Sequence, residues 1–562
     1  MSSTNETQAL LGDEAVALGA IHAGLSAAYG YPGTPSTEIL EYLIEKSSKG
    51  GFKAAWCTNE KTAMEAALGT SFAGKRAIVT MKHVGLNVAA DPFINGALLG
   101  INGGLVVAVA DDPGMHSSQG EQDSRFYAGF AGIPCLEPRN QQEAYTMTRD
   151  AFEISEKFHV PVLLRLTTRL SHARAAVTSS AAVNQRPVSK SKDKTQWMLL
   201  PAYARRNYAG LIEKQSDFLS WSEEYTANKL ELDDPNQDLS FAVITSGLGG
   251  NYYEENLEDL IALRGGKIPA RLHIGAYPFP VEKIKKLCEK AEQILIIEEG
   301  QPFIEERLRG LLPNAIPVSG KLDPWDPGGA GVVNRTGELD PDKVRTSLGL
   351  DPRPSILTSV EGIKLPPLPG RPPQLCQGCP HGDSYETIKK VVAELDPAEN
   401  HPTVAITSDI GCYSLGAAPP YGVPETIVCM GASIGMARGA VEAGIKYAAA
   451  VIGDSTFLHS GITGLIDAVS VDAPMTVIIL DNSIVAMTGC QETIVPSAKL
   501  KDLILGCGVK AEHLVELEAK KQFLDENAAK LRAEFEYPGL SVVLFKRECL
   551  EAFRKRQKKH EN

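Results

Sequence analysis

The chain has 562 residues, of which 22% are charged, and its formal net charge is −13. At about 150 residues per domain, this length predicts three or four domains. The negative charge argues against nucleic-acid binding, because binding a phosphate backbone requires a basic face. No run of about eighteen apolar residues predicts a membrane span, and the first residues lack the basic and apolar regions of a secretory signal. We therefore expect a cytoplasmic protein.

The first 180 residues are predicted to form a large α/β domain. Short aliphatic runs at residues 76–80, 104–109 and 160–165 alternate with helix-like stretches such as residues 60–72. This alternation is typical of parallel sheets that are covered by helices on both faces. The predicted fold class is therefore α/β, with two large doubly wound parallel-sheet domains and a smaller α/β domain between them.

The remainder of the chain is predicted to hold the smaller domain and the second large one. Residues 181–235 are polar and aromatic without a strand period, which indicates a partly helical connection. Prolines in residues 346–375 fix φ and remove hydrogen-bond donors, so this segment should be an extended linker. The expected order is a connection at 181–235, a small α/β domain at 236–345, a linker at 346–375, a large α/β domain at 376–550 and a solvated basic tail at 551–562.

One stretch of the second large domain has the spacing of a diphosphate and metal site. Gly453-Asp454-Ser455 follows one aliphatic run, and Asp481-Asn482 follows the next after 25 intervening residues. A strand, a crossover helix and a second strand fit this spacing, so Asp454 and Asn482 should lie side by side at the carboxyl edge of the sheet. Oxygen donors there suit Mg²⁺ and a phosphate ligand, while Gly453 and Ser455 suit close backbone approach and hydrogen bonding. The alternative is two polar residues in ordinary loops.

This unit resembles the thiamine-diphosphate fingerprint, in which Gly-Asp-Ser or Gly-Asp-Gly precedes an Asn by about 25 residues. The resemblance implies that Asp454, the side chain of Asn482 and the carbonyl of Ile484 bind Mg²⁺. Met430-Gly-Ala-Ser-Ile-Gly435 also resembles a glycine-bearing turn beside the cofactor, which implies contacts from Gly431, Ser433 and Ile434.

Thiamine chemistry also needs a carboxylate that hydrogen-bonds the aminopyrimidine ring. In this enzyme class the carboxylate comes from the other large domain, near the start of a helix. Glu60 fits, because Asn59 or Thr58 can cap a helix whose first turn contains Glu60. One alternative is that the helix dipole alone favours this glutamate; another is Glu65, although it lies deeper in the helix among small residues.

Four further segments resemble signature segments of the large subunit of indolepyruvate ferredoxin oxidoreductases, within the thiamine-diphosphate-dependent 2-oxoacid:ferredoxin oxidoreductases. They are residues 30–36, 81–87, 111–125 and 376–381. The resemblance implies that Thr34, in the Tyr-Pro-Gly-Thr-Pro turn, contacts the substrate carboxylate; a rigid Pro-rich turn is the alternative. It also implies a pyrimidine-binding domain at 1–180, a transketolase C-terminal-like domain at 236–345 and a diphosphate-binding domain at 376–550.

Three polar residues in glycine-containing loops are candidates for contacting the substrate. Lys82, His83 and His116 suit the anchoring of an anionic substrate or the shuttling of protons. A purely structural histidine is the alternative for each imidazole.

The cysteine pattern leaves several interpretations open. Cys376 and Cys379 form a C-x₂-C pair, and Cys412 resembles a third ligand of a [4Fe-4S] cluster in related oxidoreductases, with Cys490 or Cys507 as candidates for the fourth. The alternatives are a zinc site, a thiol loop that only shapes the active site, and a cluster motif that is no longer occupied. The family's C-x₂-C-x₂-C-x₃-C-P runs, which bind iron-sulfur clusters, do not follow Cys507. We therefore expect another component to carry those clusters.

The resemblance implies a complete reaction and its partners. We expect oxidative decarboxylation of an arylpyruvate, such as indolepyruvate, to the acyl-CoA, with electrons passed to ferredoxin or a similar acceptor. The implied partners are a smaller beta subunit, coenzyme A and a second copy of this chain within a heterotetramer. The alternatives are a non-oxidative decarboxylase or carboligase, and a regulatory subunit without turnover.

Overall fold

The computed structural model describes residues 6–193, 195–311, 316–322, 331–334, 336–353, 374–398, 401, 403–485 and 487–561. The chain divides into two compact units, Met1–Leu365 and Pro366–Asn562. Both are α/β with mainly parallel sheets, which confirms the predicted fold class. No helix in the described ranges combines the length and apolarity that crossing a membrane requires.

The larger sheet of the first unit has seven strands. In spatial order they are Ala276–Tyr277, Cys135–Leu136, Val162–Thr167, Leu105–Asp111, Ala77–Lys82, Ala27–Gly30 and Lys53–Trp56. All neighbours run parallel except the first pair, which is antiparallel. Every residue of the central strand Leu105–Asp111 is buried, as expected for a parallel strand covered on both faces.

A second sheet in this unit has five strands. In spatial order they are Val318–Ser319, Ile294–Ile297, Gln237–Ser246, Ile268–Ile274 and Lys229–Glu231, of which only the last is antiparallel to its neighbour. Thr7–Leu11 and Arg174–Thr178 form a separate antiparallel pair. The helices are Gly12–His22, Thr37–Gly50, Glu60–Phe72, His83–Val88, Ala90–Leu98, Arg125–Ala131, Gln141–Phe158, Thr168–His172, Pro201–Glu213, Gln215–Glu224, Leu248–Glu254, Leu257–Leu263, Val281–Lys290, Phe303–Leu311 and Pro341–Ser347.

Buried ion pairs join the two sheets of the first unit. Arg125 and Arg165 are fully buried beside the larger sheet. Arg165 donates to Asp111 at 2.6 Å and to the carbonyl of Glu299 at 3.1 Å, while Arg125 lies 3.1 Å from the carboxylate of Glu298. Glu298 and Glu299 directly follow a strand of the five-stranded sheet, so these charges tie both sheets into one unit. The boundary predicted at residue 236, between the connecting segment and the small α/β domain, stays a prediction.

The second unit contains one six-stranded, wholly parallel sheet. Its strands, in spatial order, are Thr426–Ile427, Val404–Ser408, Tyr447–Gly453, Thr476–Asp481, Ser541–Lys546 and Leu514–Glu518. A short hairpin pairs Ile484–Val485 with Gln491–Glu492. The α-helices are Pro380–Leu395, Ala432–Glu442, Asp454–Thr456, Ile462–Ser470, Ser497–Gly506, Leu524–Glu536 and Leu550–Glu561; Cys412–Ala417, Ala511–His513 and Lys521–Phe523 are 3₁₀-helical, and Phe457–Gly461 is a π-helical turn.

Two of the predicted segments, the Pro-rich linker and the basic C-terminal segment, lie outside the sheets. The Pro-rich linker lies largely outside the described residues, since 354–373 are not among them. The basic segment predicted to be a solvated tail is helical over Leu550–Glu561, and its assignment as a tail stays a prediction. The N–H of Cys549 donates to the carbonyl of Asn482 at 3.3 Å, and the N–H of Phe553 donates back to Cys549 at 3.1 Å. These bonds fix the start of the helix, a long-range contact that the local charge pattern does not reveal.

Candidate active site

In the first unit, three predicted site residues lie at or just after the carboxyl ends of neighbouring strands of the seven-stranded sheet. Thr34 lies after the strand Ala27–Gly30, Glu60 begins the helix after Lys53–Trp56, and Lys82 ends the strand Ala77–Lys82. Because parallel strands end at the same edge, this edge gathers the three side chains, as open α/β sheets do at ligand sites. The side chain of Asn59 caps the helix by accepting from the N–H of Thr62 at 2.9 Å.

Glu60 is buried, with only 5% of its surface exposed. Its carboxylate packs against Gly85, so closely that a methyl group on Gly85 would stand 2.5 Å from Oε1. Glu65, the competing candidate, is exposed on the same helix and ion-paired with Lys61. The structure therefore gives Glu60, and not Glu65, the enclosed surroundings that a carboxyl needs to hold a cofactor ring.

Lys82 lies against the Tyr-Pro-Gly-Thr-Pro turn. Its aliphatic stem passes 3.1 Å from the position of a methyl group on Gly33, and its Nζ donates to the carbonyl of Ser117 at 3.2 Å. The hydroxyl of Ser117 in turn donates to the carbonyl of Thr34 at 3.3 Å. Burial lowers the pKa of Lys82, while the nearby carboxylates of Asp112 and Glu60 oppose that shift. A cation is thus held beside Thr34 and Glu60.

The two candidate histidines differ. His83 is 1% exposed; its Nε2 lies 2.9 Å from the carbonyl of Gly120, and its buried Nδ1 has no hydrogen-bond partner among the described residues. His116 is half exposed and pairs with Glu338 at 3.2 Å. His83 therefore keeps one nitrogen available for a ligand, whereas His116 lies in a salt bridge.

The contact between Gly85 and Glu60 predicts the effect of replacing Gly85 with alanine. The added methyl group should push the Glu60 carboxylate aside and lower kcat by about a hundredfold, since a displacement near 1 Å can cost that much. The melting temperature should also fall, because the methyl group would stand 2.7 Å from Cγ and 2.9 Å from Cδ of this buried side chain as well, so the packing around it must shift. Steady-state kinetics and thermal melting check both parts.

Gly69→Ala is the matched control, because Gly69 lies in the helix that Glu60 begins and an added methyl group meets nothing within 4 Å. Equal activity in the two variants would contradict the proposed contact.

In the second unit, Asp454 and Asn482 follow adjacent parallel strands, as the spacing predicts. Gly453 pairs with Leu480 in register, so the two following loops meet at one edge. Both oxygens of Asp454 accept main-chain hydrogen bonds, from Ser455 at 2.9 Å and from Ser483 at 2.8 Å. The carboxylate is therefore held in a fixed orientation.

The charges at this edge fit a bound cation. Asp454 is buried, and burial together with the neighbouring carboxylate of Asp481 raises its pKa well above the usual value. Among the described residues, no basic side chain forms a salt bridge with either aspartate. Two adjacent buried carboxylates without a counter-cation are stabilised when a divalent ion binds, and Mg²⁺ prefers such oxygen donors. The chemistry of these residues fits the Mg²⁺ that the thiamine-diphosphate fingerprint implies.

The side chain of Asn482 has two partners. Its Oδ1 accepts from the N–H of Ile484 at 3.2 Å, and its Nδ2 lies 3.1 Å from Nε2 of His381. Ile484 itself opens the short hairpin with Gln491–Glu492. The Asn482 side-chain oxygen thus lies on the turn that also carries Ser483, whose N–H bonds Asp454, and Ile484.

The glycine-bearing turn is held inside the second unit. Gly431 has a φ of 85° and lies so close to Ser460 that a methyl group would stand 2.7 Å from its Cβ. Ser433 donates its hydroxyl to Asp409 at 2.7 Å, and Ile434 is fully buried. Side chains of Ser433 and Ile434 therefore face protein, and the main-chain N–H groups of Gly431 and Ser433 also bond Asp409.

Asp409 and Tyr413 were missed in the sequence. Burial raises the pKa of Asp409 to about 6, and the Tyr413 hydroxyl donates to its carboxylate. The Tyr413 ring also lies against Gly453, where a methyl group would stand 2.6 Å from Cε1. Gly453 is thus required by the packing of Tyr413. The sequence feature that could have indicated Asp409 is its position directly after an aliphatic strand, the same position that Asp454 has.

The predicted thiols Cys376, Cys379 and Cys412 are neighbours in the second unit, and Cys549, which the sequence pattern did not indicate, is a further neighbour. Burial, Cys376 and Cys549 raise the pKa of Cys379 to about 11; burial, Cys379 and Cys549 raise that of Cys412 to about 12. Cys490 also contributes to the raised pKa of Cys412. Within the described ranges, however, no three His, Cys, Asp or Glu side chains are close enough together to hold a metal ion. The number of thiols and their mutual proximity fit an iron-sulfur cluster. The distances between them in this structure are too long to hold one.

The remaining candidate for a fourth ligand, Cys507, lies elsewhere. It packs on a hydrophobic core with Leu500 and Ile504, and burial alone accounts for its raised pKa. Cys507 is not among the thiols that raise the pKa of Cys379 or Cys412, whereas Cys549 acts on both and Cys490 on Cys412.

Two family descriptions match the chain. Residues 18–213 match pyruvate flavodoxin/ferredoxin oxidoreductase, thiamine diP-bdg, and residues 409–543 match thiamine pyrophosphate enzyme, C-terminal TPP binding domain. A 2-oxoglutarate:ferredoxin oxidoreductase structure from Magnetococcus marinus aligns with 17% identity and a TM-score of 0.48, over 56% of this chain and 62% of its own.

Curated relatives match almost the whole chain. An indolepyruvate oxidoreductase subunit IorA from Archaeoglobus fulgidus is 36% identical over 573 residues, which cover 96% of this chain and 86% of the relative. The IorA subunit of Methanothermobacter marburgensis is 36% identical over 558 residues with the same coverage. These matches confirm the predicted family, its thiamine diphosphate and its oxidative decarboxylation of 2-oxoacids. The chain therefore belongs to the family of indolepyruvate oxidoreductase IorA subunits, which are thiamine-diphosphate-dependent 2-oxoacid:ferredoxin oxidoreductases.

Proposed function

We propose that this chain is the large subunit of a hetero-oligomer that converts an arylpyruvate, coenzyme A and two equivalents of an oxidised ferredoxin-like one-electron acceptor into the arylacetyl-CoA, CO₂, a proton and two equivalents of reduced acceptor. The IorA relatives, whose names specify indolepyruvate, support the aryl substrate. The observation that carries the chemistry is the enclosure of the Glu60 carboxylate beside Lys82 at one sheet edge. The smaller partner subunit and the second copy of this chain belong to the same proposal.

The substrate end of the site is proposed to act through charge and hydrogen bonding. Glu60 hydrogen-bonds the aminopyrimidine ring of the cofactor, because its carboxyl is buried and held by Gly85. Lys82 and Thr34 bind the carboxylate of the 2-oxoacid, the group that leaves as CO₂. His83 exchanges a proton with the bound substrate through Nδ1, the nitrogen that does not contact Gly120.

The diphosphate end is proposed to hold the metal. Asp454, the side chain of Asn482 and the carbonyl of Ile484 bind Mg²⁺, while Ser455 and the main chain around Gly431 and Gly453 contact phosphate oxygens. Thiamine diphosphate supplies the electron sink for decarboxylation when it is bound. The chain's contribution is to fix the orientation of that cofactor and to keep water from it.

The decisive experiment uses anaerobic enzyme purified with its partner subunit. Indolepyruvate, phenylpyruvate, pyruvate and 2-oxoglutarate are each supplied with coenzyme A and a ferredoxin-like acceptor. We expect acyl-CoA and reduced acceptor, with kcat/KM highest for the aryl substrates. Release of an aldehyde without reduction of the acceptor would instead identify a non-oxidative decarboxylase, and a preference for pyruvate or 2-oxoglutarate would overturn the substrate assignment.

We also propose that Cys376, Cys379, Cys412 and Cys549 bind a [4Fe-4S] cluster and close around it. Cys549→Ser should lose most of the iron and acid-labile sulfide that anaerobic enzyme contains. Iron and sulfide assays and the visible absorption of the cluster measure the loss.

Cys507→Ser is the matched control and should retain its iron, because Cys507 lies in a hydrophobic core away from this group. Equal iron content in the two variants would reject Cys549 as a ligand, and wild-type enzyme without iron would place the cluster on another component.

A further inference from the structure

His381 is a buried histidine that none of the proposed steps uses. It is 3% exposed and lies in the Cys-Pro-His sequence that begins the helix Pro380–Leu395. Its Nε2 lies 3.1 Å from Nδ2 of Asn482, which is itself only 6% exposed. The ring packs edge-to-face against Tyr413, with centroids 6.3 Å apart, and this contact limits its rotation. His381 and Asn482 thus make a polar contact between two buried side chains, and Tyr413 holds the His381 ring in place. This arrangement points to a positioning role for His381.

The orientation of the Asn482 amide matters to a metal ion. An amide presents an oxygen on one side and an NH₂ group on the other, and only the oxygen can bind Mg²⁺. A half-turn of the amide exchanges the two groups at little cost in shape. A metal site that uses this side chain therefore needs partners that distinguish oxygen from nitrogen.

The partners of Asn482 make that distinction. The N–H of Ile484 donates to Oδ1 at 3.2 Å, so the oxygen faces the turn that carries Ser483 and Ile484. The opposite side faces His381, whose Nε2 accepts from Nδ2 in the neutral tautomer protonated on Nδ1. The carbonyl of Asn482 accepts from the N–H of Cys549 at 3.3 Å, which fixes the main chain. The amide orientation is the remaining freedom, and His381 on one side and Ile484 on the other control it together.

We propose that His381 is a positioning residue that keeps Asn482 Oδ1 directed toward Mg²⁺ by accepting a hydrogen bond from Nδ2. This inference rests on the proposed role of Asn482 as a metal ligand. It assigns to His381 an effect on metal affinity and none on the chemical step. Partners of metal ligands typically contribute about 10- to 100-fold in metal affinity.

The test is calorimetric titration of Mg²⁺ into the full-length chain in the presence of excess thiamine diphosphate. His381→Phe keeps a flat ring and removes the acceptor, and it should raise the Mg²⁺ dissociation constant about 10- to 100-fold. Its kcat at saturating Mg²⁺ should stay within about threefold of wild type, since the affected step is metal binding. His381→Gln should restore most of the affinity, because Gln Oε1 can accept from Asn482 Nδ2.

His513→Phe is the matched control, because His513 is a partly buried histidine of the same unit that stacks on Tyr537. Its Mg²⁺ affinity should equal that of wild type. Circular dichroism and melting of each variant without Mg²⁺ separate loss of folding from loss of affinity.

Three outcomes would overturn the inference or its basis, and they differ. If His381→Phe binds Mg²⁺ as tightly as wild type, His381 does not orient Asn482. If His381→Gln is as weak as His381→Phe, an acceptor at this position does not restore metal binding, and the hydrogen bond is not the cause of the loss. If wild-type protein binds thiamine diphosphate without any dependence on Mg²⁺, the proposed metal site itself fails, whatever the variants do.

Discussion

Replacing Glu60 with glutamine is expected to lower kcat by about two to four orders of magnitude, the range in which positioned proton-transfer groups act. Glutamine keeps the size of the side chain and its contact with Gly85, but it cannot provide a carboxyl to the aminopyrimidine ring. Binding of thiamine diphosphate should persist, because the proposed phosphate and metal contacts lie on other residues. Steady-state kinetics of acyl-CoA formation and calorimetric binding of the cofactor measure the two effects.

Glu65→Gln is the control for this variant. Glu65 lies on the same helix, but it is exposed and paired with Lys61, so its loss should change kcat by no more than about twofold. Full activity in Glu60→Gln would move the activating carboxylate to another residue, and equal losses in both variants would point to a general effect on the helix.

The second large effect is expected for Asp454→Asn, which should abolish Mg²⁺-dependent binding of thiamine diphosphate. The change removes one of the two adjacent buried carboxylates whose repulsion a divalent cation relieves. Ligand binding stabilises a protein by mass action, by about 2.7 kcal/mol at a hundredfold excess over the dissociation constant. Wild-type protein should therefore melt at a higher temperature when the cofactor and Mg²⁺ are added together, and Asp454→Asn should not.

Asp467→Asn provides the comparison, because Asp467 lies in the same strand-helix-strand unit but is exposed and paired with Arg438. It should show the wild-type rise in melting temperature. A similar rise in Asp454→Asn would exclude Asp454 as a metal ligand.

Local sequence patterns were sufficient for the parts of the site that depend on short-range geometry. The spacing between Asp454 and Asn482 predicted a strand, a crossover helix and a second strand, and those elements are present. The cap at Asn59 was likewise predicted, because a cap depends on a few consecutive residues. The parallel sheets followed from the alternation of aliphatic runs and helical stretches.

Long-range contacts explain what the sequence did not reveal. Cys549 joins the thiol group because the strand Ser541–Lys546 lies beside Thr476–Asp481, a pairing that no local pattern specifies. The enclosure of Glu60 by Gly85 and the contact of His381 with Asn482 also join segments that are distant along the chain. The contact of Asp409 was missed because its partner Ser433 lies in the helix Ala432–Glu442, which is distant along the chain.

The seven-stranded sheet has a consequence for how the protein is made. Its last strand, Ala276–Tyr277, and the Glu298 that pairs with Arg125 come from chain well beyond the other strands. While the ribosome is still synthesising that later chain, Cys135–Leu136 remains an unpaired edge strand, and Arg125 has Asp123 as its buried partner but not yet Glu298. A recombinant fragment that stops at residue 180 would therefore leave this side of the sheet unpaired and would lack the Glu298 carboxylate.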